Sequence, residues 1–185
     1  DAYWQTDTSV MENGWGFLEH MQCKSATRLV HDLVDNTSKN GNMLLNVGPR
    51  PDGTIPEEIE GLLLAQGRWL EVNGEAIYGT RCWEKFGEGP TPVASGHHTE
   101  KEDQPFTNRD YRFTTKPDAL YAIALGWPGR RATVRSLAAG ASPLRSSEVN
   151  AGCETAGCDT SASTAGGCGR CPPGSTATPT PAPAA

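Results

Sequence analysis

A chain of 185 residues with a net charge of −6 offers no electropositive footprint for nucleic acid, whose phosphates call for clustered lysine and arginine. No apolar run approaches the roughly 20 residues that a helix needs to cross a bilayer, so no membrane span is predicted. Neither a Walker loop nor a dinucleotide glycine fingerprint is present, which removes two nucleotide-binding classes.

In chain order, Ser25 is the expected N-cap of a first helix. Ala26, Leu29, Val30, Leu33, Val34 and Thr37 recur at helical spacing behind it, and Asn40-Gly41 is the stop. Next comes Asn42-Met43-Leu44-Leu45-Asn46-Val47, a short apolar run ended by Gly48-Pro49, which suits a strand covered on both faces. Asn46 is the odd residue there. A carboxamide near the end of such a strand needs partners, since burying it unpaired costs about 1–3 kcal/mol. The residues favour a bond to loop backbone, with a ligand contact as the alternative.

Pro56 opens a second helix, where Glu57 and Glu58 complement the dipole and Ile59, Leu62, Leu63, Gln66, Trp69 and Leu70 lie near one stripe. Asn73-Gly74 closes it, and the short apolar Ala76-Ile77-Tyr78-Gly79 follows. Alternation of helix and strand predicts a parallel sheet or barrel.

After Phe86 the character changes. Gly87 to Pro92 is turn-rich, and the polar stretch from Ala94 to Asp110 is expected to run over the surface. Tyr111–Thr115 and Leu120–Leu125 flank Lys116-Pro117-Asp118-Ala119 and read as a hairpin, with Thr133–Leu137 as a third strand. From Asn150 to Ala185 there is no Leu, Ile, Val, Met, Phe, Tyr or Trp, so this tail is predicted to be disordered. Two origins stay open for it: a shift of reading frame near Ser147 to Asn150, or a Thr/Pro linker through Thr178–Pro183.

Four of the six cysteines, Cys153, Cys158, Cys168 and Cys171, sit in this tail. Cys168 and Cys171 have zinc-like spacing, but no aromatic or aliphatic residue is there to build a knuckle, so no metal site is expected. Cys23 and Cys82 read as small buried side chains. His20, His31 and the pair His97-His98 share no ligand spacing, and exposure is expected for all four.

The blocks Tyr3–Ser9, Gly14-Trp15-Gly16-Phe17, Lys39–Pro49, Asp52–Pro56, Asn73–Thr80 and Phe113–Lys116, in this order, resemble the α-L-fucosidases of glycoside hydrolase family 29. The resemblance covers about residues 1 to 137. It implies an α/β fold: the C-terminal part of a (β/α)8 barrel over residues 1–86, a connection over 87–110, the start of an antiparallel β-sandwich over 111–149, and the disordered tail over 150–185. A full barrel takes about 250 residues. The chain is therefore expected to be a fragment, with no signal peptide in it.

The resemblance further implies a retaining exo-hydrolase acting on fucosylated oligosaccharides or glycoconjugates, without metal or organic cofactor, in a secreted, periplasmic or lysosomal setting. Oligomeric state stays open. The nucleophilic Asp is expected upstream of these residues, so the chain alone is expected to be inactive. Glu19 is the candidate acid/base, with Asp7 and Glu12 as rivals and a solvated loop carboxylate as the ordinary reading of all three.

Trp4, Trp15 and Trp83, with Asn46, are the candidate substrate-binding residues, because an apolar sugar face calls for an aromatic body. Core packing is the competing reading for each ring, and the preferred one for Trp69. An arginine that some family members place after the equivalent of Trp4 is Thr8 here. The alternative to an enzyme is a catalytically inactive carbohydrate-binding or structural relative.

Overall fold

The computed structural model describes residues 4–93 and 104–138; the tail, its four cysteines and the His97-His98 pair lie outside the described residues. Strand β1 (Trp4–Ser9) runs parallel to β2 (Gly41–Asn46), in a register that sets Asp7 beside Leu44 and Ser9 beside Asn46. Helix α1 (Ala26–Ser38) makes the crossover between them. Its start is the expected one: the Ser25 hydroxyl accepts from Arg28 N at 3.1 Å, satisfying a first-turn donor. Its end is turned by Asn40 at φ 64°, a conformation that Asn tolerates better than most residues.

Helix α2 (Glu57–Asn73) follows β2, with Pro56 as its N-cap residue. Ile59, Gln66 and Trp69 are its buried residues, as the helical stripe implies. Val10, Met11, Leu29 and Ile59 form one core, and Leu45, Val47, Leu62 and Leu63 pack against it. Side chains alternate along a strand, so Thr8 and Leu45 face the helices. Gln5, Asp7, Ser9, Asn42, Leu44 and Asn46 share the other face. Leu44 is 54% exposed, which corrects the expectation of a strand covered on both sides.

The second sheet is antiparallel, in the order β3 (Arg81–Glu88), β4 (Tyr111–Lys116), β5 (Ala119–Ala124). The β4–β5 hairpin matches the sequence expectation, whereas the third strand does not. Arg135–Leu137 form a 3-10 turn, and the third strand is β3. A boundary at residue 86 therefore falls inside β3. The Ala76–Gly79 segment makes no strand either; Gly74–Ala76 is a 3-10 turn and Tyr78 is 62% exposed.

Two sets of contacts fasten this sheet to the helices. Leu125 joins Val30, Val34 and Trp69 in a second core, with Phe106 and Ile123 against it. Arg112 Nε on β4 meets Asp35 Oδ1 on α1 at 2.6 Å, and Thr114 Oγ1 donates to Ala76 O at 2.7 Å. Asp110, expected on the surface, is fully buried. It accepts from the backbone N and hydroxyl of both Thr91 and Thr107. Burial alone would raise its pKa, yet these bonds outweigh it and hold the carboxyl below the usual range.

Glu88 is held below its usual range in the same way. Against the cost of its own burial, it accepts from the Ser136 hydroxyl and from the backbone N of Arg135 and Ser136, which ties the 3-10 turn to β3.

Candidate functional site

Parallel β1 and β2 send the loops that follow them to the same end of the sheet, and both loops are well anchored there. The first, residues 10–25, folds back on itself. Val10 N donates to Asn46 O at 3.0 Å, Lys24 N to Val10 O at 2.9 Å and Glu12 N to Gln22 O at 2.7 Å. Asn13 clamps the tip: its Nδ2 donates to His20 O at 2.9 Å and its Oδ1 accepts from Gln22 N at 3.0 Å. Beneath this loop Lys24, only 4% exposed, reaches Thr8 Oγ1 at 2.6 Å and Asp32 at 3.5 Å.

The second loop, after Asn46, is pinned against the first. Asn46 Nδ2 donates to Trp15 O at 2.6 Å and lies 3.4 Å from Ser9 Oγ, which also accepts from Met11 N. A Cβ at Gly48 would come within 2.8 Å of Gly16 C and Phe17 N, so only glycine allows the two backbones this close. Arg50 lies over the Phe17 ring, 5.9 Å from its centroid. The Asp52 carboxylate accepts from the Thr54 N and Oγ1, which shape the turn into α2 and lower its pKa.

Of the candidate residues, Trp15 and Glu19 are on the first of these loops, and Asn46 ends β2 beside it. Trp15 is 53% exposed. Glu19 is exposed near the loop tip, with no hydrogen-bond partner among the described residues. Of the rivals, Asp7 accepts from Gln5 Nε2 at 2.8 Å on the open face of β1, and Glu12 is exposed at the base of the loop.

Trp4 is elsewhere. It begins β1, about 17 Å of strand away from Ser9, where its Nε1 donates to Lys39 O at 3.0 Å and its ring lies over Gly41. Trp83 is elsewhere too, half-buried on β3 and edge-on to Phe113 at 5.2 Å. A cleft of about 250 Å³ is bordered by Lys39, just before the start of β2, and by Phe86, Gly87 and Arg112 of the second sheet.

Sequence reasoning missed Ser9, Lys24, Gly48 and Arg50 as site-building residues. The Gly48-Pro49 turn was the one visible signal; the others depend on which loops meet in space. Cys23 hydrogen-bonds Glu58, and burial with that carboxylate raises its thiol to about 11, a protonated and unreactive form. Among the described residues no group of three His, Cys, Asp or Glu could hold a metal ion, and no helix is long and apolar enough to cross a membrane.

Polar and aromatic loop residues gathered at the carboxyl end of a parallel βα unit are the arrangement of α/β enzymes, in which ligands meet the strands at that end. Residues 1–75 match the family model described as alpha-L-fucosidase.

The chain is 34% identical over 131 residues to the tissue α-L-fucosidases of rat and human, covering 69% of this chain and 25% and 24% of theirs. An α-fucosidase of Thermotoga maritima crystallised with fucose is similar in structure, with a TM-score of 0.52 and 34% identity over 65% of this chain and 25% of that one. The chain belongs to the α-L-fucosidase family, glycoside hydrolase family 29, and spans about a quarter of the length of the curated relatives it matches.

Proposed function

We propose that the chain contributes the C-terminal part of the catalytic (β/α)8 barrel of a retaining exo-α-L-fucosidase, with β1 and β2 as neighbouring barrel strands and β3 to β5 as the start of an antiparallel sandwich. The observation that carries this reading is the pairing of Asn46 with Trp15, which joins two family motif blocks at the carboxyl end of parallel strands. The substrate is terminal α-L-fucose on an oligosaccharide or glycoconjugate, and the setting is secreted, periplasmic or lysosomal.

In this scheme an Asp on an earlier barrel strand attacks the anomeric carbon. Glu19 protonates the departing oxygen, and water then hydrolyses the glycosyl-enzyme with retention. The scheme needs two carboxyl groups about 5–5.5 Å apart and neither metal nor organic cofactor. The nucleophile belongs to no strand described here, so the 185 residues by themselves turn over no fucoside. What supports Glu19 in this role is its exposure on the loop that follows β1, free of a hydrogen-bond partner among the described residues.

The test is a panel of aryl glycosides offered to the 185-residue chain and to a full-length protein containing it. Release from the α-L-fucoside by the full-length protein alone is expected. Glu19→Gln should lower kcat about 10²–10⁴-fold on poor leaving groups while sparing activated ones. Turnover by the short chain would overturn its expected inactivity. Release from no sugar would favour the carbohydrate-binding relative.

A further inference from the structure

Asn46 is the last residue of β2, and its amide orientation is fixed by chemistry: the Trp15 carbonyl 2.6 Å away only accepts, so the group facing it is the NH2. Its Oδ1 is left without a hydrogen-bond partner among the described residues, on the same face as Asp7 and Leu44. The Trp15 peptide is thereby tied to a strand rather than left to a loop. Gly48 packs its backbone against Gly16 and Phe17 from the other side. Trp15 as a residue is nonetheless 53% exposed, and its indole has no ring partner among the described residues.

A large apolar ring left in water on an anchored peptide has already lost much of the mobility that ligand binding would otherwise have to remove. Stacking against an apolar sugar face uses such a ring. We infer that Asn46 is a positioning residue for Trp15: its amide fastens the Trp15 peptide to β2 so that the indole stands as the apolar wall of the sugar site. The inference rests on the fucosidase reading and adds to it a specific division of work between the two residues. It also explains why an amide ends this strand. Aspartate has the same shape but, ionised, cannot donate to a carbonyl.

The experiment measures kcat and KM for an aryl α-L-fucoside with full-length protein carrying Asn46→Ala, Asn46→Asp, Trp15→Ala or Trp15→Ala with Asn46→Ala. Each Asn46 variant is expected to raise KM about three- to tenfold, the worth of one hydrogen bond, with kcat changed less than about twofold. In the Trp15→Ala background, Asn46→Ala should add nothing further.

Losses that add across the two sites, or a fall in kcat at unchanged KM, would overturn the inference while leaving fucosidase activity standing. Amide exchange over residues 12–20 in the 185-residue chain gives a readout independent of catalysis. Faster exchange in both Asn46 variants is expected, and unchanged exchange would overturn the inference whatever the kinetics. Loosened exchange in a full-length protein that hydrolyses no fucoside would overturn the sugar-site role together with the proposed function.

Discussion

His31 carries a residue-scale consequence that the sequence did not announce. It was expected at the surface because a lone histidine on a helix usually is. In the structure it is mostly buried, edge-on to Phe106 at 5.3 Å. Burial, then the Arg28 and Arg112 cations, lower its pKa from 6.5 to about 4, against the opposing pull of a hydrogen bond to the Leu125 backbone and of Asp110. Between these two values the unfolded chain binds a proton that the folded chain does not. Stability from this group is complete above about 6.5 and falls as the pH is lowered toward 4, with a slope of about 1.4 kcal/mol per pH unit. Urea unfolding of the chain at pH 7 and pH 5 should show that loss, and His31→Leu should flatten it. Equal slopes in the two proteins would mean that His31 titrates normally.

Among the elements, legibility followed burial pattern. Helices α1 and α2 could be read because their apolar positions repeat at helical spacing and their ends carry Ser25, Asn40 and Pro56. Strand β1 could not: Trp-Gln-Thr-Asp-Thr-Ser has no apolar alternation, since Thr6 and Thr8 supply the helix-facing side and Gln5, Asp7 and Ser9 the open one. Strand β3 was hidden for another reason, its pairing with β4 being interrupted by an irregularity between Cys82 and Gly87.

Of the residues the sequence marked, the structure brings Trp15, Asn46 and Glu19 to one end of the parallel strands and sets Trp4 and Trp83 apart from them, because residue type alone does not say which end of a strand a ring occupies. Gly48 is the element-scale determinant of loop contact. Gly48→Ala would press a methyl group onto Gly16 C and Phe17 N, backbone atoms that have no alternative rotamer. It should cost about 1–3 kcal/mol and speed amide exchange in residues 12–20. Gly16→Ala, with nothing within 4 Å of the new methyl, is the matched control and should stay within about 0.5 kcal/mol. Equal behaviour of the two variants would show that the loops are not in backbone contact.

At the scale of the whole molecule, the antiparallel sheet is attached through α1 rather than through the parallel strands, and Asp35 is the junction. Its Oδ1 meets Arg112 on β4 at 2.6 Å, and its Oδ2 meets Lys39 at 2.6 Å. Arg112 is nearly inaccessible, with its guanidinium 4.9 Å from the Phe106 centroid and 5.5 Å from that of Phe86.

The two possible deletions are therefore unequal. Asp35→Asn strands a buried guanidinium and should cost about 3–5 kcal/mol. Arg112→Met removes the buried cation, keeps an aliphatic stem between the rings and leaves Asp35 paired with Lys39, so it should cost less. Because Leu125 shares its core with Val30, Val34 and Trp69, tryptophan fluorescence and far-ultraviolet circular dichroism should report one coincident urea transition in the parent chain and in both variants, with the midpoint lowest in Asp35→Asn. A fluorescence change preceding the loss of helix in the parent chain would show that the sheet undocks as a separate unit. The reverse ranking of the variants would show that Arg112 acts mainly through its contacts with Phe86, Phe106 and the Tyr111 carbonyl, and that its pairing with Asp35 contributes little.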